Sequence, residues 1–298
     1  MRFLLDDEQR RFAASLDAML SDGAGWPGLV AAGVPALLIP EEFGGLSASP
    51  VDLAVCFEQL GRHGVPGPLV ESVAVAPVLL AGTSLGEVWL PKLAAGGARA
   101  TLAFPPDVPY APDADTVDLV LLVEPDAVRV AAPGERLTSV DPTRRLFRVT
   151  AAGPPEPADS ARAFEFGVLA CAAYLLGAGA ALLDRAAAYA KQRVQFGRPI
   201  GRFQAVKHLL ADVFVGLELA RPLLHGAAVT MTSRDVSAAR VACGDAAYRA
   251  ARTALQVHGA IGYTAEHELG RLLPTVRALY SAWGTPARHR ARVMEALC

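Results

Sequence analysis

The chain has 298 residues, of which 52% are hydrophobic and only 19% charged, and its 30 acidic and 28 basic side chains leave a formal net charge of −2. Such a length can bury a core large enough for two domains or one subdivided domain, and the apolar excess implies surface buried between subunits. Interspersed charge of that balance offers no basic field for nucleic acid, and no unbroken apolar run reaches the roughly eighteen residues that a bilayer span needs, so neither a nucleic-acid-binding nor a membrane protein is expected.

The opening residues MRFLLDDEQRRF place acids where a secretory leader needs an apolar run, so a cytoplasmic chain is expected. Asp6 is a suitable N-cap for a helix whose apolar side chains Phe12, Leu16 and Leu20 recur every four residues. Gly33, Pro35, Pro40, Gly44 and Gly45 then punctuate a loop that contains IPEEFGG. A second helical period runs through Val51, Leu53, Phe57 and Leu60, and a third stretch over Leu69 to Leu80 is expected to kink at Pro77. Composition changes near residue 99. TLAFP, DLVLLVEPDAVRVAA and RLFRVTAAG are short β-favouring runs separated by Pro, Asp and Gly, as in a small sheet. Asp159 or Ser160 caps the start of the remaining chain, which reads as long helices with apolar stripes at Val168–Tyr189, Leu209–Leu224 and Val236–Val257, completed by a helix from Glu266 to Tyr280. The chain therefore reads as mainly α with a small β insert: a helical region over 1–98, a reduced β domain over 99–160 and a helical bundle over 161–298.

Four cysteines, Cys56, Cys171, Cys243 and Cys298, lack C-x-x-C spacing and read as reduced core thiols. The histidines at 63, 208, 225, 258, 267 and 289 have no metal-site spacing and read as surface or packing residues, and no G-x-S-x-G elbow supports a hydrolase. Chemistry concentrates instead in two strings. RVQFGRPIGRFQAVKHLLADV, residues 193–213, sets Arg193, Phe196, Gly197 and Gln204 between two helical stretches. A guanidinium fork suits phosphate oxygens, an amide both donates and accepts, and glycine permits a positive φ at the turn. QVHGAIGYTAEH, residues 256–267, ends a helix in a glycine-rich turn containing Gln256, Gly259, Ala260 and Gly262. By itself that turn is an ordinary glycine C-cap.

Together the two strings resemble the acyl-CoA dehydrogenase family, whose R-x-x-F-G-x-x-(I/L)-x-x-(F/L)-Q pattern is met here without gaps, and whose Q-x-x-G-G-x-G turn is met except that Ala260 replaces its second glycine. IPEEFGG, the tract FEQLGRHGVPGPLVES from Phe57 and LPKLAAGG from Leu90 are similar to the family's N-terminal helical domain. The resemblance implies α,β-dehydrogenation of an acyl-CoA thioester with FAD, and an electron-transfer flavoprotein as partner. Arg193, Phe196, Gly197, Gln204, Gln256, Gly259, Ala260, Gly262 and Thr285 would then contact the cofactor.

Two departures accompany it. Nothing between Thr101 and Pro157 matches the family's M-T-E-P-x-x-G-S-D string or the Trp after it, which hold and cover the flavin ring. The proton on the α-carbon must also leave to a carboxylate, usually the Glu of Y-E-G-T, yet counting from Gly262 places Trp283 there, ahead of Gly284 and Thr285. In relatives that carry the base on the first bundle helix, the position counted back from Phe196 is Gly167. Glu165 lies two residues earlier, about 200° around a helix, and is weighed as a displaced base against a solvated carboxylate of the first helical turn. The resemblance is thus to the base-lacking subunit of α2β2 actinobacterial enzymes that act on steroid side-chain thioesters, in which a larger subunit shares the FAD site and supplies the base. A non-catalytic structural subunit and an acyl-carrier-protein dehydrogenase remain as alternatives.

Overall fold

The computed structural model describes residues 4–263 and 269–298. Helix α1 (Asp7–Ser21) starts at Asp6, whose carboxylate accepts the Gln9 amide while the Gln9 side chain accepts the Asp6 N–H in return. A short helix that hydrophobic period does not reveal, α2 (Trp26–Ala31), comes next, and the Gly33–Gly45 stretch expected as loop holds two single turns of 3-10 helix, Val34–Ala36 and Glu41–Phe43. α3 (Pro50–Arg62) has a second capping box, Ser49 with Asp52. The segment expected to kink at Pro77 is irregular further upstream: Val70–Val75 forms a π-helical turn, and Pro77 stands at the start of α4 (Ala76–Leu80), where its missing N–H is harmless. α5 (Ser84–Ala94) ends this helical part.

The sheet region has six strands: β1 (Ala100–Ala103), β2 (Ala111–Pro112), β3 (Leu119–Glu124), β4 (Ala127–Leu137), β5 (Leu146–Ala151) and β6 (Glu156–Pro157). Their order is β1-β3-β4-β5-β2, with β6 also on β4; β1 and β3 are parallel and the other pairs antiparallel. One face, through Leu102, Leu121, Val123 and Val128, joins the core that also contains the helices on both sides.

Asp159 caps α6 (Ser160–Gln192), a helix buried on its whole circumference from Phe166 to Leu182 and on one stripe, Ala186 and Ala190, in its last turns. A tight hairpin, β7 (Val194–Gln195) and β8 (Arg198–Pro199), and one 3-10 turn lead into α7 (Gln204–Thr230); α8 (Ser233–His258) runs back beside α6. A 3-10 turn (Gly259–Tyr263), α9 (Leu269–Leu279) and α10 (Pro286–Glu295) complete the chain; the expected helix start at Glu266 and the end of the second motif, Thr264–His267, lie outside the described residues. α3 lies against α6 with backbones almost touching, since a methyl added at Gly61 would fall 2.0 Å from the Tyr174 carbonyl oxygen and one at Gly177 1.9 Å from that of Glu58.

Two expectations are corrected by the fold. α6 and α7 are each long and apolar enough to cross a membrane, because scattered small polar residues and glycines break the run without lowering the average; most of the apolar window of α6 is buried inside the protein, and less than half of that of α7. Cys56, Cys171 and Cys243 are buried free thiols, but Cys298 is exposed.

Candidate functional site

α6 divides the candidate residues into two groups. Arg193 stands just after its last turn and Gly167 sits in its second, 26 residues apart, or about 39 Å along the axis at 1.5 Å per residue. α8 runs parallel to α6 and joins both ends: His258 stacks on Tyr189 with ring centroids 4.3 Å apart, while Ser237, near the start of α8, reaches the region of Gly167.

At the Arg193 end the candidate side chains stand in solvent. Arg193, Gln204, Gln256, Gly259 and Ala260 are exposed, and only Gly262 is buried. Phe196 is 90% exposed, at φ +54 beside Gly197 at φ +76, and forms the tip of the β7–β8 hairpin. Its ring meets only the edge of Phe203, 6.1 Å away, and Arg198 lies over the other ring at 4.3 Å. Among the described residues Arg193 has no ion pair. Gly259 ends α8 at φ 64 and ψ −140, a conformation that favours glycine, and its N–H caps the helix by donating to the Leu255 carbonyl. Gln256, Gly259 and Ala260 line an open groove of about 940 Å³ with Asp245, Tyr248, Arg249, Arg252, Thr253 and Leu255. Arg249 and Arg252 escape a reading based on motifs alone, although their i, i+3, i+7 spacing with Gln256 was there to be read.

The Gly167 end is closed. Trp283 is fully buried, and a methyl built on Gly167 would fall 2.4 Å from Cζ3 of its indole. The two positions reached by independent counting, one back from Phe196 and one on from Gly262, are therefore the same place in space. The indole occupies the volume that any side chain at 167 would need. Phe104 and Phe164 close round it, with centroids 6.4 Å and 6.0 Å from the Trp283 ring and 5.5 Å from each other.

Buried polar groups hold this plug. Trp283 lies at φ +56, uncommon for a bulky residue, and Gly284 is next at φ +89. The Arg240 guanidinium, with no exposed surface, donates to the carbonyls of Leu279 (2.6 Å), Tyr280 (3.2 Å) and Ala282 (2.9 Å). His289 donates from Nε2 to the Trp283 carbonyl at 2.7 Å and accepts at Nδ1 from Ser237 at 3.1 Å. Burial pushes the His289 imidazole down to about 4, against the pull of its hydrogen bond to the Trp283 carbonyl, so it is neutral at pH 7. Beyond the indole lies Glu71, 2% exposed, on the π-helical turn. Burial raises its carboxyl above the usual range, and Arg144 and the nearby indole N–H only temper the shift; neither Glu71 Oε1 nor Trp283 Nε1 completes a hydrogen bond.

Glu165 is not a solvated carboxylate. It forms a largely buried ion pair with Arg292 of α10, which also donates to Ser233 Oγ at 2.6 Å and lies over the Phe164 ring. Burial raises its carboxyl, with Arg292 opposing. Thr285 is exposed and caps α10 by accepting from the Arg288 amide, so it sits with Trp283 and far from Arg193.

Comparison with known proteins covers the helical parts on either side of the sheet. Residues 2–97 match the acyl-CoA dehydrogenase N-terminal domain and residues 159–298 the acyl-CoA dehydrogenase C-terminal domain. The chain is 34% identical over 276 residues to the acyl-CoA dehydrogenase IpdE2 of Mycolicibacterium smegmatis, covering 89% of this chain and 84% of that protein. Its fold superposes on one chain of the Tcur3481-Tcur3483 steroid ACAD with a TM-score of 0.87 at 22% identity, covering 98% of each. It likewise superposes on a chain of the ChsE4-ChsE5 complex from Mycobacterium tuberculosis, with a TM-score of 0.86 at 21% identity over 100% of this chain and 99% of that one.

Proposed function

Because the chain belongs to the acyl-CoA dehydrogenase family, we propose that it is one subunit of a hetero-oligomeric, FAD-dependent acyl-CoA dehydrogenase, holding the nucleotide end of the cofactor while a partner subunit supplies the base. The observation that carries this reading is the contact between Gly167 and Trp283: both positions at which the family's carboxylate is expected meet in one place, and an indole fills it. Indole carries no basic lone pair and glycine no side chain, so neither can take the α-proton.

The other end fits a dinucleotide. An open groove lined by Gln256 and Gly259, an exposed Arg193 with no ion pair among the described residues, and the exposed Phe196 offer the amide, cationic and apolar contacts that a dinucleotide can use. Bound FAD would supply the acceptor for the hydride that leaves the β-carbon. Arg193 and Gln204 would bind and orient its diphosphate side, Phe196 would exclude water from it, and Gln256 with the 259–262 turn would approach from the second strand of contacts. A dinucleotide held at this end of α6 cannot present its ring at the far end of the same helix, about 39 Å away. A single chain therefore contributes to a site that another chain completes.

The exposed apolar face of α7, with Phe214, Leu219, Leu223 and Val229, supports burial against a second subunit. Two of the folds that the chain resembles come from complexes of two different proteins, one a steroid ACAD, which favours a steroid-derived acyl-CoA and an α2β2 assembly. Electrons would leave to an electron-transfer flavoprotein. Co-expression with a complete acyl-CoA dehydrogenase subunit from the same genome tests the reading: the expected product is a yellow complex with one FAD per heterodimer. A stable colourless homodimer with no flavin in any complex would overturn it.

A further inference from the structure

The groove at the end of α8 holds two cations whose presence the family's two strings do not explain. Arg249 and Arg252 are exposed, line the groove with Gln256, and stand with it at i, i+3 and i+7, on one face of the helix. Among the described residues neither makes an ion pair. The groove's own carboxylate, Asp245, is already satisfied, by Arg290 at 2.6 Å and by the Tyr280 hydroxyl at 2.8 Å, so it does not cancel them. Nor do they serve the helix. Cations stabilise a helix C-terminus within the last turn only, and these two lie six and nine residues before His258, the last residue of α8.

The terminal carbonyls of α8 make the end of the groove unfavourable to an anion, so a phosphate could settle beside the Gly259 turn only where fixed cations reverse the local field. Two guanidiniums one turn apart do this, and each presents a planar fork matched to phosphate oxygens. Tyr248 gives the same groove an apolar wall, its ring stacked on Tyr280 at 4.7 Å with Arg277 over it at 5.9 Å. We infer that Arg249 and Arg252 form a clamp for the diphosphate of FAD, with Gln256 completing it. The inference rests on the proposed FAD site and adds to it two ligands on the α8 face.

FAD and CoA both carry an adenosine diphosphate group, so the test must separate them. The complex of this chain with its co-expressed partner subunit, stripped of flavin, is titrated with FAD and, separately, with CoA at two salt concentrations, for the native chain, R249Q/R252Q and R249K/R252K. The expected result is FAD binding weakened about a hundredfold in the Gln variant, with its salt dependence flattened, and partly restored by Lys, which keeps charge but loses the fork. CoA affinity is expected to stay within about twofold. Circular dichroism and subunit stoichiometry are read on every sample. FAD affinity and salt dependence unchanged in an intact Gln-variant complex would overturn the inference while leaving the proposed function standing. A selective loss of CoA binding would overturn it in favour of the thioester's nucleotide. Dissociation of the subunits in the Gln variant, at full FAD affinity of the complex that remains, would overturn it by assigning the arginines to the subunit contact. A native complex that binds no FAD would mark failure of the underlying reading.

Discussion

The two ends of α6 are built in opposite ways from similar material. At the Arg193 end, glycines and an arginine-rich stretch stand exposed, Arg193 forms no ion pair among the described residues, and an aromatic ring is 90% exposed. At the Gly167 end, a glycine and an arginine are wholly internal: Gly167 makes room for an indole and Arg240 ties down the carbonyls that carry it. Exposed polar groups stay hydrated and remain free to meet a ligand, whereas the buried Arg240 guanidinium donates from Nη2 to three backbone carbonyls and so holds a shape. The contrast is what the proposed function requires of one subunit: an open surface for a cofactor's nucleotide at one end and, at the other, an indole where a base would stand.

The sharpest way to break that contrast is to put a carboxylate back at the closed end. Gly167→Glu sets a Cβ 2.4 Å from the Trp283 ring and a carboxyl among three aromatic side chains, combining overpacking with an unpaired buried charge. The expected loss is roughly 4 kcal/mol or more, read as a large fall in urea midpoint. Adding Trp283→Gly removes the clash, so the double variant should be more stable than additivity of the two single changes predicts. A Gly167→Glu protein as stable as the native one would mean that the end is open after all. At the other end, Arg193→Gln should weaken FAD binding by the complex about 30- to 100-fold, the equivalent of some 2 to 3 kcal/mol for a charge-assisted contact, while the urea midpoint stays unchanged. A stability loss there without loss of flavin would assign Arg193 to the fold.

pH sharpens the same division. His289 has its protonation pushed down to about 4 by burial, from 6.5 in an unfolded chain, so its contribution to stability is complete above pH 6.5 and is lost as pH falls towards 4. At pH 5 the penalty amounts to about 2 kcal/mol. His289→Gln removes that titration, and its urea midpoint should therefore fall less than the native one between pH 7.5 and pH 5. Parallel lines for the two proteins would show that the imidazole is not the group that titrates.

The long helices, the Asp6 and Asp159 caps and the β insert could be read from period and punctuation, because caps and turns are local chemistry, whereas the six-residue α2 is too short to show a period. The plug could not. Gly167 and Trp283 were identifiable one at a time, by counting from motifs, but 116 residues of chain separate them, and only the packing of α6 against the turn after α9 shows that they meet. Phe104, from the loop after β1, and Glu71, from the π-helical turn, reach Trp283 from still further along the chain, 179 and 212 residues before it. Glu165 shows the reverse case: its position near a helix start suggested solvation, and a partner 127 residues later changed its environment.

Glu165 also gives the smallest expected effect. Its carboxylate is held by Arg292, which is in turn shared with Ser233. Glu165→Gln keeps the size and one hydrogen-bond acceptor while removing the charge that Arg292 faces. Burial already disfavours that charge, so part of the loss is offset, and a fall in stability of about 1 kcal/mol is expected. Turnover of the flavin-loaded complex should stay within about twofold of native, because one lost ion pair at this remove touches neither reacting carbon nor cofactor. Were turnover to collapse with FAD and subunits still present at native stoichiometry, Glu165 would be the base, Arg292 its gate, and the closed end of α6 would have to open during catalysis.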